Sequence, residues 1–213
     1  MASEPAPPSQ TEGPLVILLG GVSGTGKTTL ANALVRELGL SHHLSTGFIR
    51  ASIAHLLPQG DAQLLQKHTY DAYEALSDGI PSDRSPLLEG AIRQSLLLKP
   101  AIESCIRRAV REGIGMVLEG SHFIPGILDP ESTGANLMCV LDVPDRDALK
   151  RRALSPNHSR RKLSDMQLDR LIELQEGILS LAGVHHRPVI VNDDLTRAVS
   201  EARSLIATQD RES

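Results

Sequence analysis

Apolar residues fall into five short runs separated by longer stretches of helical period. The first run, Leu15-Val16-Ile17-Leu18-Leu19, is unbroken. Similar runs occupy residues 40–45, 115–119, 136–143 and 188–192, and each has the length of a strand. Between them, apolar positions recur three and four residues apart over 30–38, 48–57, 62–76, 87–112, 146–154 and 196–206. Pro100 predicts a break or kink in the 87–112 helix. Ser164, with Gln167 three residues later, is a capping-box signal that opens a further helix. Unbroken apolar strands joined through helices predict an α/β fold, a parallel sheet covered on both faces. Residues 1–13 hold three prolines and little apolar content, which predicts a disordered tail. Residues 14–208 then form one domain, and 209–213 a second short tail.

Composition narrows the partners. A chain of 213 residues suits one α/β domain with a full core and a small lid. Aromatics make up only 2%, so Leu, Ile, Val and Ala must fill the core. The same scarcity argues against nucleic-acid binding through stacked bases. The formal net charge of −4 offers no global basic field for nucleic acid or membranes. Cys105 and Cys139 lack metal spacing and read as small hydrophobes. No run reaches the length of a membrane span, and the first residues lack a signal-peptide pattern. A soluble, cytoplasmic protein without a membrane partner is expected, and the sequence leaves its oligomeric state open.

Candidate chemistry begins directly after the first strand. Residues 21–28 satisfy G-x-x-x-x-G-K-S/T without a mismatch. Gly21, Val22, Ser23, Gly24, Thr25, Gly26, Lys27, Thr28 and Thr29 form a phosphate-binding loop between a predicted strand and a predicted helix, the setting this motif requires. Glycines turn backbone N–H groups toward the phosphates, Lys27 reaches the β and γ phosphates, and Thr28 ligates Mg²⁺. ATP and Mg²⁺ are therefore the expected cofactors.

Three more groups carry candidate chemistry. Glu119 closes a buried strand, and ligands bind at the carboxyl ends of strands in such sheets. Its carboxylate can hold a magnesium-bound water or orient an acceptor hydroxyl. His122, in the same loop, can donate to an anionic substrate. Arg50, near the start of the helix after the second strand, can dock an anion. The basic stretch Arg146, Lys150, Arg151, Arg152, Arg160, Arg161 and Lys162 surrounds a turn at 155–159. A lid over the triphosphate is expected at about 154–164, with Arg160 or Arg161 stabilising the transferred phosphoryl group. Tyr70 lies in a segment that carries both tyrosines, and a substrate contact and ordinary packing are both open for it.

Together, Gly20 to Thr28, Ser45-Thr46-Gly47-Phe48-Ile49-Arg50, His68-Thr69-Tyr70-Asp71-Ala72-Tyr73 and Glu119-Gly120-Ser121-His122-Phe123-Ile124-Pro125-Gly126 resemble the 2-phosphoglycerate kinases and their bacterial relatives. The likeness spans roughly residues 15–195, and the E-G-x-H-x-x-P-G segment is its most specific part. It implies a three-layer P-loop kinase fold with strand order 2-3-1-4-5 and a helical lid. It also implies ATP-dependent phosphorylation of the 3-hydroxyl of 2-phosphoglycerate to 2,3-bisphosphoglycerate. By motif, Glu119 and His122 face the acceptor, Arg50 holds its phosphate or carboxylate, and Arg160 or Arg161 the transferred phosphate. One departure stands out. Many related small-molecule kinases place an aspartate after the second strand, where this chain has Thr46-Gly47.

Other P-loop classes fit less well. No N-K-x-D run is present for a GTPase, no L-S-G-G-Q-type signature for a transporter, and an AAA-type motor would need a longer chain. The rivals are a kinase for another small hydroxyl acceptor (a sugar acid, a nucleotide or an antibiotic) and a nucleotide-binding regulatory protein. No base-reading motif separates ATP from GTP.

Overall fold

A computed structural model describes residues 13–77, 79–155 and 162–212. Its centre is a five-stranded parallel sheet in the order β2-β3-β1-β4-β5. The strands are β1 (Val16–Gly20), β2 (His42–Ser45), β3 (Met116–Glu119), β4 (Leu137–Asp142) and β5 (Val189–Val191). β1, β3 and β4 are buried at every position, as central strands covered on both faces must be. Among the described residues, eight helices follow or cross between them: α1 (Lys27–Glu37), α2 (Thr46–Ile53), α3 (Gln59–Gln66), α4 (Pro86–Glu112), α5 (Pro130–Thr133), α6 (Arg146–Ala153), α7 (Asp165–Val184) and α8 (Leu195–Glu212). A 3₁₀ turn covers Ala72–Ala75. No helix among the described residues is long and apolar enough to cross a membrane.

The period of two along β1 divides the core. Ile17 and Leu19 pack with Leu30 and Leu34 of α1 and Ala202 of α8 on one face. Val16 and Leu18 pack with Leu98, Ile102 and Ile106 of α4 on the other. Phe123 is buried in that second layer, and the remaining large side chains are aliphatic or Met. Burying each such side chain contributes about 1.5–3 kcal/mol, enough to hold three layers without aromatic bulk.

Two helices differ from the sequence expectation. α4 runs unbroken through Pro100. Pro100 and Leu96, whose carbonyl loses its partner, both lie on the exposed side, so water can satisfy that group while Leu98 and Ile102 stay packed. The helix expected over 62–76 ends at Gln66 instead. There the carbonyls of Leu64, Leu65 and Lys67 accept hydrogen bonds from side chains of other helices rather than from the next turn. α7 opens on the Ser164 and Gln167 capping box, with both reciprocal bonds formed.

Candidate active site

The strand order brings three loops together at the carboxyl end of the sheet. In register, Glu119 lies beside Leu19 on β1 and beside Ser45 on β2. The loop after β1, the start of α2 and the loop after β3 therefore enclose one cavity of about 610 Å³. Gly24, Gly26, Lys27, Thr28, Arg50, Tyr70, Glu119 and His122 all line it. Arg160 and Arg161, and most of the expected lid, lie outside the described residues.

The phosphate-binding loop is held by groups distant in sequence. Gly21, Gly24 and Gly26 adopt φ values of 119°, 89° and 86°, in the region that favours glycine. Gly26 caps α1, and the side-chain amide of Asn192 fills the space where a Cβ would stand. That amide donates to the Thr25 carbonyl at 2.8 Å. Gln175 of α7 accepts from the Val22 N–H at 3.0 Å and donates to the Leu141 carbonyl at 2.9 Å. The loop is thus tied to β4, β5 and α7 at once. Lys27 turns its ammonium onto the Val22 carbonyl at 2.7 Å. Burial lowers its pKa, and Glu119 opposes that shift. A nucleotide's phosphates would compete for this ammonium with a single neutral carbonyl.

Across the cavity, Thr28 donates to Glu119 at 3.4 Å. Glu119 is 5% exposed and is the one carboxylate among the described lining residues. His43 of β2 stands 3.9 Å from the same carboxylate oxygen. No three described acidic, His or Cys residues cluster as a metal cage. A site with one hydroxyl and one carboxylate suits Mg²⁺, which keeps waters and takes its other ligands from substrate phosphates.

His122 is built in differently from the expectation. Its Nδ1 lies 2.7 Å from the Thr46 hydroxyl and its Nε2 lies 3.1 Å from the Gln94 amide oxygen. Both ring nitrogens are therefore engaged by the protein. Burial, then the Arg50 and Lys27 charges, lower its pKa from 6.5 to about 3. The ring is neutral at physiological pH and brings no positive charge to the site. Arg50 sits in the last turn of α2, not at its start. It lines the cavity while one of its nitrogens donates to the carbonyls of Leu65 and of Lys67, the latter at 2.6 Å. Tyr70 is 5% exposed, stacks on His68 with ring centroids 5.4 Å apart, and lines the same cavity.

The basic stretch divides by partner. Arg146 pairs with Asp142 and Glu176, Lys150 with Asp169 and Arg151 with Asp145. Arg152 instead donates to the carbonyls of Asn192 and Asp193. It walls a second cavity of about 380 Å³ beside Gly24, Gly26 and Thr29. Gln94, Gln175 and Asn192 are site-building residues that sequence reading passed over, whereas it places Arg152 only in the basic stretch around the expected lid. The available signal was polarity out of place: Gln94 and Gln175 interrupt the apolar face of their helices.

The chain resembles known proteins in sequence and in fold. The chain is 31% identical over 191 residues to a 2-phosphoglycerate kinase of Pyrococcus horikoshii, covering 88% of this chain and 62% of that protein. It is 29% identical over 209 residues to a 2-phosphoglycerate kinase of Methanothermobacter thermautotrophicus, covering 93% of this chain and 68% of the other. These relatives are archaeal, not bacterial as expected. The chain spans less than two thirds of the Pyrococcus protein's length. The crystal structure of a gluconokinase from Sinorhizobium meliloti shares the fold, with TM-score 0.50, 16% identity, and coverage of 93% of this chain and 95% of that one. The profile of the AAA ATPase domain matches residues 6–209. Chain length had set an AAA-type motor aside, but the match is to the nucleotide-binding ATPase domain and spans nearly all of these residues. The chain belongs to the AAA ATPase domain family.

Proposed function

We propose that this chain is an ATP- and Mg²⁺-dependent kinase of a small anionic hydroxy acid, converting 2-phosphoglycerate to 2,3-bisphosphoglycerate, with residues 14–208 as its catalytic domain. One observation carries the reading. A single cavity joins Lys27 and Thr28, where a triphosphate would lie, to Glu119, Arg50 and Tyr70 across from them. A nucleotide switch needs the first half of that cavity and has no use for the second. The similarity to the archaeal 2-phosphoglycerate kinases supports the named acceptor.

In this reading, Gly21 to Thr29 cradle the phosphates, Lys27 offsets their charge, and Thr28 with Glu119 would hold Mg²⁺. Bound Mg²⁺ supplies charge neutralisation at the transferring phosphoryl group. The acceptor's hydroxyl oxygen bonds to the γ-phosphorus, the bond to ADP breaks, and the proton leaves toward Glu119 or water. No aspartate stands at Thr46-Gly47, so Glu119 is the carboxylate among the described lining residues that faces that proton. Positioning and electrostatics dominate such transfers, and one carboxylate suffices. Arg50 docks the acceptor's phosphate or carboxylate. Arg160 or Arg161 meets the transferred phosphate from the lid.

The test is ATP consumption with 2-phosphoglycerate, glycerate and neutral sugars, with products identified by mass spectrometry. A bisphosphorylated product with 2-phosphoglycerate, and far slower turnover of glycerate, is expected. Faster phosphorylation of a neutral sugar or a nucleoside would overturn the named acceptor. ATP hydrolysis indifferent to every acceptor would overturn the kinase reading in favour of a regulatory ATPase.

A further inference from the structure

The hydrogen bonds around His122 form a chain whose proton order is dictated at one end. Gln94 of α4 donates its amide to two backbone carbonyls, Leu64 at 2.8 Å and Lys67 at 3.1 Å. A carbonyl can only accept, so the amide oxygen of Gln94 must be the atom facing His122. That oxygen lies 3.1 Å from Nε2, and it too can only accept. Nε2 therefore carries the imidazole proton. The neutral ring then has a lone pair on Nδ1, and the Thr46 hydroxyl at 2.7 Å must donate to it.

The far end of the chain is just as constrained. Thr46 opens α2 and is fully buried. Its hydroxyl fills the space where a Cβ on residue 120 would stand, so only glycine fits directly after Glu119. The first turn of α2 thus packs directly against the end of β3. His122, with Nδ1 held by Thr46 and Nε2 by Gln94, has no ring nitrogen left to hydrogen-bond a substrate.

We propose that Gln94 is a positioning residue for the acceptor side of the cavity: it holds His122 as the Nε2–H form, and His122 through Thr46 pins the first turn of α2 against the strand end that carries Glu119. The distance between a docked acceptor and Glu119 then depends on an amide on a different helix. This assignment rests on the acceptor lying between α2 and the end of β3, as in the function proposed above.

The experiment has two arms. Two-bond proton–nitrogen correlation spectra of the nitrogen-labelled wild-type protein near neutral pH should show His122 with Nε2 protonated and Nδ1 as a bare acceptor. A ring protonated at Nδ1, or at both nitrogens, overturns the proposal whatever the acceptor is. In the second arm, Gln94→Met removes both the amide donor and the oxygen that accepts from Nε2. It should lose the single tautomer and raise the KM for 2-phosphoglycerate roughly ten- to hundredfold, the scale of a small misplacement of bound groups. The KM for ATP should stay within about twofold, because the phosphate-binding loop is tied to Gln175 and Asn192 instead. An unaltered tautomer in a folded variant, or equal effects on both substrates, overturns the proposal. If the wild type leaves 2-phosphoglycerate untouched, the named substrate fails, and the spectra alone decide the role of Gln94.

Discussion

Replacing His122 with Gln tests whether the site holds a neutral imidazole. Burial, aided by Arg50 and Lys27, lowers the pKa from 6.5 to about 3 in the folded protein. In the unfolded chain the ring titrates near about 6.5. Between those values the unfolded state binds a proton that the native state refuses, so stability falls as pH falls through the window from about 6.5 to about 3. Each pH unit below the unfolded value costs about 1.4 kcal/mol. Acidification to about pH 5 should therefore remove about 2 kcal/mol through this one ring, and the full window about 5 kcal/mol. His122→Gln lacks the titration but leaves Thr46 or Gln94 short of a partner, costing about 1–3 kcal/mol at about pH 8. Urea unfolding followed by circular dichroism from about pH 8 to about pH 5 should show the two proteins converging in stability. Parallel stability curves for wild type and variant would refute the buried neutral ring.

Three further substitutions address separate parts of the site. Lys27→Ala should abolish turnover without lowering the melting temperature, because the buried ammonium is desolvated and is bonded to one neutral carbonyl; ADP release within about tenfold of wild type would contradict its role on the phosphates. Glu119→Gln should cut the rate by about 10²-fold or more and shift its Mg²⁺ dependence, with little change in melting temperature; an unchanged metal titration would leave Glu119 as a strand terminus. Gly120→Ala pushes a methyl into the Thr46 hydroxyl and should cost about 1–3 kcal/mol, read as a drop of several degrees in melting temperature; a neutral effect would mean that α2 can shift freely away from β3.

The chain's own pattern went far on architecture because parallel strands buried on both faces have no choice but unbroken apolar runs. The runs at 15–19, 115–119 and 136–143 became β1, β3 and β4, and the order 2-3-1-4-5 implied by the family resemblance is the order observed. The phosphate-binding loop was equally legible. Its glycines, lysine and threonine fall within residues 21–28, so one local stretch displays the motif, and Glu119 declared itself as an acid ending a buried run. Helical periodicity says which face is apolar but not what lies opposite. It could not show that Arg50 and Gln94 reach the carbonyls at 64–67 and halt a helix expected to run to 76. Nor could it show that the exposed side of α4 lets Pro100 pass without a break.

The same division separates the site's chemistry from its tuning. Residue identity named Lys27, Thr28, Glu119, Arg50 and His122 as candidates. Folding decided that His122 is neutral and fully engaged, because only burial beside two cations and between Thr46 and Gln94 removes its charge. Gln175 and Asn192 became clamps on the phosphate-binding loop only when β4, β5 and α7 closed over it, with partners more than 150 residues away. A sequence shows which groups a chain owns. Which of them share one low-dielectric space, and so change each other's charge and hydrogen bonding, is determined by contacts between distant segments that no local pattern encodes.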